Sequence, residues 1–452
     1  MWTVAEPTAA ALERELAWFE QQLQQRLAGY FGTAEGPAPA LLAAPPEVAG
    51  DDPWSTLVGQ HALDAGDRML LMLALAPTLR PQLLDLLFVR NANLDRGFTE
   101  FGGWKGKVHG GFLPSGETAA FVLGGEALWP RFEALRRLRP DQPLRRAGLL
   151  LLEAPEPGEP LLSGPLLPSP ELLARLTTGG PHRPDHGPGF PARRLESTLG
   201  WDDLVLAPEV MDEVQAILAW VRDGAALLRD WQLERAVKPG WRSLFHGPPG
   251  TGKTLTATLI GQAAAVDVYR VDLSLIVSKY IGETEKNLAA VFDQAEHQGW
   301  ILFFDEADAL FGKRTATSSS NDRFANQEVS YLLQRVEDFA GTVILASNLK
   351  ANIDEAFARR FQSIVYFPLP DAAQRLQLWR GLLPDPGRWG PDVDLPALAE
   401  MHELSGGAIA NVVRHAAVCA HRAGRRQLGG ADLRRGVARE LRKEGRTMQE
   451  AA

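Results

Sequence analysis

The sequence predicts an α/β protein: a parallel five-stranded sheet flanked by helices in the second half, followed by a helical domain and preceded by a mainly helical first half. Three observations lead there. From Ser243 onward, short β-type runs alternate with helical stretches, as parallel strands joined by crossover helices do. The first of those runs opens directly into the glycine-rich turn GPPGTGKT, Gly247 to Thr254, at the start of a helix. A dense run of Pro and Gly from Glu153 to Pro191 separates this half from what precedes it.

In chain order, residues 10–31 read as a helix with Leu12, Leu16, Phe19, Leu23, Leu27 and Phe31 on one face. A Pro/Ala/Gly-rich spell runs from Gly36 to Pro53, then helical stretches cover Asp67 to Ala76 and Pro81 to Val89. The apolar run Met69 to Ala76 is expected to be a buried helix ending at Pro77. Phe101 to Gly125 interleaves glycines with aromatics and reads as a packing element or a binding loop, packing being favoured. The Pro/Gly run that follows excludes a long helix or a central strand and marks a linker. Beyond it lie the β-type runs SLFH (243–246), VDVYRVD (266–272), ILFFDE (301–306), TVILAS (342–347) and SIVYF (363–367). After Pro370 only helical patterns appear. The expected boundaries are an N-terminal domain over 1–152, a linker over 153–192, the α/β domain over 193–370, the helical domain over 371–446 and a tail over 447–452.

Composition narrows the class. A chain of 452 residues, 45% hydrophobic and 23% charged, is too long for one ordinary core and has the balance of a folded soluble protein. No apolar run approaches the roughly 18 residues that span a bilayer, so no membrane association is expected. The first residues carry acids early and lack a secretion-signal pattern, and a single cysteine, Cys419, fits a reducing compartment; a cytoplasmic protein is the expectation. Cys419 itself reads as a small apolar residue in a helix rather than a reactive thiol. A net charge of −9 argues against nucleic acid as partner. The basic run from His421 to Arg446 is a solvated helix face or, less simply, a docking surface for an acidic neighbour.

The turn GPPGTGKT has the pattern G-x-x-x-x-G-K-[ST] in the strand–loop–helix setting where backbone N–H groups cradle phosphates. Gly250 and Gly252 let those N–H groups turn inward, and the helix that follows adds the positive end of its dipole. Lys253 is expected on the β- and γ-phosphates and the Thr254 hydroxyl on Mg²⁺, with Gly247, Pro248, Pro249 and Thr251 completing the loop around ATP. In ILFFDEAD, Asp305 closes a buried strand and can reach the metal shell, and Glu306 can deprotonate the attacking water. Asn348 ends the next β run, where its amide can bond the water or the γ-phosphate. Arg359 and Arg360, in ANIDEAFARRF, either face solvent or reach a neighbouring subunit's γ-phosphate, a contribution worth about 10³ to 10⁵ in rate elsewhere.

With GPPGTGKT, ILFFDEAD, TVILASN and IDEAFARRF in that order, residues 195 to 445 resemble the AAA family of ATPases. The resemblance implies an α/β nucleotide domain with an α-helical lid, ATP and Mg²⁺ as cofactors, and a homo-oligomeric ring, usually a hexamer, with ATP between subunits. It implies adenine contacts in GWDDLVL, at Asp203 and Leu204, and lid contacts in SGGAIANVV, at Gly407 and Ala408. Ala408 stands where many relatives carry a nucleotide-sensing arginine, which the protein-remodelling branch lacks as this chain does. In that branch a loop carries an aromatic–aliphatic–glycine triplet into the central channel; Tyr280, Ile281 and Gly282 of SKYIGETEKN match it, with Lys279 beside them in the same loop. The alternative is that Tyr280 packs against its own domain. A second loop, Gly312 to Gln327, would lie deeper in the channel, with Asp322 and Arg323 coupling neighbours.

Segments such as GGFLPSGETAAFVLGG and GFPARRLESTLGWDDLVL look like those of AAA ATPases encoded with extracellular contractile injection systems. That closer resemblance implies a role in particle assembly, with sheath, tube or baseplate proteins as partners and the N-terminal domain as recognition or adaptor module. The expected function is therefore Mg²⁺-dependent ATP hydrolysis in a ring, coupled to remodelling or threading of protein. A nucleotide-gated scaffold that threads nothing, and a nucleic-acid translocase or loader, are the alternatives.

Overall fold

A computed structural model describes residues 5–33, 42–48, 50–93, 95–125, 127–187, 190–273, 283–308, 330–348, 359–383, 385–443 and 445–446. The chain divides into two compact units, Met1–Arg183 and Pro184–Ala452.

The first unit is built on α1 (Ala5–Tyr30), α2 (Pro53–His61) and α3 (Ala65–Leu79). Leu12, Leu16, Phe19, Leu23 and Leu27 bury the stripe of α1 that the sequence indicates. Phe31 departs from it: the helix stops at Tyr30, Gly32 takes φ +67°, and the Phe31 ring is left 41% exposed. Asp64 and Asp67 form a reciprocal capping box at the start of α3, whose residues Met69 to Ala76 are all buried. Contrary to expectation, α3 continues past Pro77 to Leu79. The proline falls in the last turn, where the chain bends by 104° into the helical stretch expected from Pro81, which takes the 3₁₀ form over Pro81–Phe88. A buried Glu15–Arg68 ion pair joins α1 to α3, and Arg68 also donates to Pro46 O at 2.8 Å.

The remainder of this unit comprises β1 (Arg90–Asn91) and β2 (Arg96–Gly97), α4 (Gly116–Gly124), α5 (Leu128–Arg137), α6 (Pro143–Arg146), β3 (Leu150–Leu152), β4 (Leu166–Pro168) and α7 (Pro170–Thr178). Phe101, Phe112 and Phe121 are buried in the common core, so the aromatic-glycine segment is a packing element. The linker expected over 153–192 is corrected. Leu162, Leu166, Leu172 and Leu176 belong to the same core, with β4 paired to β3 and Ser169 capping α7. Proline suits the edge of a two-stranded hairpin and the first turn of a helix, so its density there did not preclude packed structure.

The second unit holds a six-stranded sheet of β5 (Ala192–Arg194), β6 (Trp241–His246), β7 (Val268–Val271), β8 (Ile301–Phe304), β9 (Thr342–Ser347) and β10 (Ser363–Tyr366), in the order β10-β6-β9-β8-β7-β5. Five strands are parallel as expected. The sixth, β5, is an antiparallel edge that pairs Ala192 with Val271 and Arg194 with Tyr269, and three residues ending in two arginines carry too little pattern to announce it. Side chains alternate between two buried faces. Phe245, Phe303 and Ile344 pack with Val214 and Ile217 of α8 (Pro208–Asp230) and Ile260 of α9 (Lys253–Ala264). Leu302, Phe304 and Val343 pack with Val291 and Phe292 of α10 (Glu283–Gln298). The chain then forms α11 (Ala372–Leu382), α12 (Leu395–Met401), α13 (Gly406–Arg422) and α14 (Gly430–Lys443) around Trp379, Ile409, Val412, Leu433 and Val437. Among the described residues no single helix is long and apolar enough to cross a membrane.

Candidate functional site

The carboxyl ends of β6, β8 and β9 converge on the turn that follows β6. Gly247 leaves the strand at φ +144°, and a Cβ there would fall 2.2 Å from Phe367 O, so no larger residue can begin the turn. Gly250 sits at φ +76° beneath the start of α13, where Gly407 N donates to Gly250 O at 3.0 Å. Gly252, at φ +101°, is the N-cap of α9 and offers no side-chain acceptor to its first-turn N–H groups. Thr251 Oγ1 braces the turn by donating to Pro248 O at 2.9 Å.

Lys253 is buried, its Nζ donating to Gly247 O at 2.7 Å and Pro248 O at 2.9 Å. Burial pushes its ammonium below the ordinary pKa, while the charges of Asp305 and Asp308 pull it back up. Those carboxylates therefore share its surroundings, although they stand more than fifty residues along the chain. Thr254 follows, half-buried.

Asp305 leaves the end of β8, and its Oδ1 accepts Glu306 N at 3.0 Å. Glu306 is exposed and left-handed at φ +52°, a backbone state costing about 1–3 kcal/mol for a non-glycine residue, and one that collects at functional positions. The next residue, Ala307, donates to Ala346 O of β9 at 2.8 Å. Asn348 follows β9 with its side chain exposed. The structure thus gathers Gly247 to Thr254, Asp305, Glu306 and Asn348 at one end of the sheet. Leu204 is buried beside the loop, 3.1 Å from where a Cβ on Gly252 would lie. Asp203 accepts Gly200 N at 2.8 Å and so shapes its own turn. Ser405 caps α13 through Ala408 N at 3.3 Å, and Ala408 is itself buried.

Arg359 and Arg360 are not brought to this loop. They precede β10 at the amino ends of the parallel strands, where Gln362 N donates to Arg242 O at 3.0 Å, and Arg360 pairs with Glu337. Lys279, Tyr280, Ile281, Gly282, Asp322 and Arg323 lie outside the described residues. Two neighbours were missed from sequence. Arg270 Nη2, on β7, stands 3.6 Å from Asp305 Oδ2. Asp308 accepts the Ser347 hydroxyl and, at 3.3 Å, Asn348 N. The last acid of ILFFDEAD was a visible signal for Asp308; nothing in VDVYRVD singled out Arg270.

This arrangement fits the triphosphate of ATP. Three glycines with positive φ leave a cradle that side chains would fill, an uncapped helix start faces it, and a buried ammonium is held against the cradle's own carbonyls. Thr254 and Asp305 have the oxygen donors that suit Mg²⁺.

Residues 243–369 match the family described as "ATPase family associated with various cellular activities (AAA)". An uncharacterized AAA family ATPase of Sinorhizobium fredii is 32% identical over 216 residues, 47% of this chain and 59% of that protein. The ATP-dependent zinc metalloprotease FtsH of Acidothermus cellulolyticus is 33% identical over 255 residues, 54% of this chain and 36% of the relative. A proteasome-activating nucleotidase of Aeropyrum pernix is 35% identical over 212 residues, 45% of this chain and 52% of the relative. The chain thus spans about half the length of these curated relatives. Fold, loop and family match agree: residues 243–369 form an AAA ATPase domain, whose cofactors are ATP and Mg²⁺.

Proposed function

We propose that the whole protein hydrolyses ATP as a homo-oligomeric ring and uses the cycle to remodel or thread protein. The observation that supports hydrolysis is that Lys253, Asp305, Glu306 and Asn348 stand at the same end of the sheet as the glycine turn, the residue types that in-line attack on a γ-phosphate uses. Mg²⁺, when bound through Thr254 and Asp305, neutralises charge on the phosphates. Lys253 holds the β- and γ-phosphates. Glu306 takes a proton from water as its oxygen attacks phosphorus, and Asn348 orients that water. The bond to the bridging oxygen breaks, leaving ADP and phosphate. Arg359 and Arg360, remote from their own loop, suit the γ-phosphate of a neighbouring copy.

A metalloprotease and a proteasome-activating nucleotidase among the relatives favour protein as substrate, as does the match of Tyr280, Ile281 and Gly282 to a channel loop. Contractile injection particles, with sheath, tube or baseplate proteins as clients, are the setting we propose from the sequence resemblance, and the cytoplasm is the compartment. In the test, Glu306→Gln should bind ATP and assemble while its turnover falls by at least about 10²-fold. Unchanged turnover would overturn the assignment. Tyr280→Ala should hydrolyse at the basal rate yet lose remodelling and substrate stimulation; a Tyr280→Ala variant that remodels fully would leave the nucleotide-gated scaffold as the better reading.

A further inference from the structure

Asp308 has no part in the chemistry described above, yet it lies where the two catalytic strand ends meet. One carboxylate oxygen accepts the hydroxyl of Ser347, which is 1% exposed, and the other accepts Asn348 N at 3.3 Å. One residue earlier, Ala307 N reaches Ala346 O at 2.8 Å. Residues 307–308 are therefore laced to residues 346–348 just after Glu306 and just before the Asn348 side chain. On the other side of Glu306, Asp305 Oδ1 accepts the Glu306 N–H at 3.0 Å. A left-handed glutamate persists only when its surroundings over-determine it, and these contacts supply that constraint from both directions.

We infer that Asp308 is a positioning residue: by clamping the Ser347–Asn348 turn to the end of β8, it sets the separation between the Glu306 carboxylate and the Asn348 amide, so that one water meets both. This rests on the hydrolytic reading of the site. The clamp needs two acceptor oxygens, one for each donor. An asparagine at this position keeps one of them, and alanine keeps neither. A misplacement of about 1 Å between reacting groups costs about 10² in rate, which sets the scale of the effect.

The experiment uses the full chain and measures kcat and KM for ATP, affinity for a fluorescent ATP analogue with Mg²⁺, and thermal melting. Asp308→Ala should lower kcat by about 10²-fold and leave analogue affinity within about threefold. Asp308→Asn should lie between it and the wild type. The discriminating variant combines Asp308→Ala with Asn348→Ala: if Asp308 acts through Asn348, the pair loses no more kcat than the worse single variant. Losses that multiply would overturn the inference, because Asp308 would then act on metal or water by itself. An unchanged kcat, or a loss confined to affinity, would overturn it as well. Should Asp308→Ala fail to fold, Ser347→Ala answers the same question. It should lower kcat by about tenfold, and that loss should vanish when Asn348 is already alanine. Failure of the hydrolytic reading looks different, since the wild type would then show no Glu306-dependent turnover at all.

Discussion

Replacing Gly250 by alanine tests whether the phosphate loop and the helical lid are built as one device. At φ +76° an added Cβ is strained, and it would stand 2.7 Å from Ser405 Oγ and 3.2 Å from the Gly407 backbone. The left-handed backbone costs about 1–2 kcal/mol. Turning Ser405 away gives up the cap of α13, about 1 kcal/mol. The free variant relaxes away from this shape, and phosphate binding must restore it, so both terms fall on the bound state. The total, about 2–3 kcal/mol, corresponds to ATP affinity weakened by about 30- to 150-fold. The assay is titration of a fluorescent ATP analogue with Mg²⁺, alongside thermal melting. Gly381→Ala is the control, since its Cβ on α11 would meet nothing within 4 Å and should leave affinity unchanged. Gly250→Ala affinity within about threefold of wild type, in a folded protein, would refute the reasoning.

Two further outcomes follow from charge. Burial holds the Lys253 ammonium below its ordinary value of 10.5, and bound phosphates would raise it again. ATP binding at a pH between the lowered and the restored pKa therefore takes up protons, and affinity falls as pH rises through that range; calorimetry across alkaline pH up to 10.5, in two buffers of different ionisation heat, should show it, and equal heats throughout would count against it. In the lid, burial pushes the Asp432 carboxyl up, but hydrogen bonds from Arg425 at 2.6 Å and Arg435 at 2.5 Å outweigh it and hold the pKa below 3.8. Its stabilisation is present above that value and lost as pH falls through the lowered one. Asp432→Asn should thus destabilise the lid by about 2–3 kcal/mol near neutrality, and the deficit should shrink progressively as pH falls below 3.8, as followed by urea unfolding; a deficit independent of pH would reject the account.

Much of the nucleotide end of the sheet was legible in the sequence because its signals are local. GPPGTGKT needs glycines at fixed offsets, and buried parallel strands such as ILFF are continuously apolar because both faces are covered. The edge strand β5 was hidden for the opposite reason: three residues with one exposed face announce nothing, and only pairing with β7 makes them a strand. The misplaced linker has another cause. Proline density reports where regular structure is interrupted, not whether Leu166 and Leu176 between the interruptions find a core. Asp308 and Arg270 depended on register across neighbouring strands, which spacing along the chain does not encode. The contrast between the adjacent residues Leu204, which reaches the loop, and Asp203, which serves its own turn, is of the same kind.

The bond from Gly407 to Gly250 makes α13 a lever. Its pivot is the first turn, held to the loop backbone at 3.0 Å, and its arm is the helix of 17 residues ending at Arg422. At about 1.5 Å per residue that arm is about 25 Å long, so a tilt of about 10° at the pivot sweeps Arg422 through about 4 Å. Two glycines in contact have no side chains to absorb a displacement, so whatever shifts the loop is delivered to the arm undamped. The basic end of the lid would then move by several times what the loop moves, with no hinge needed between them.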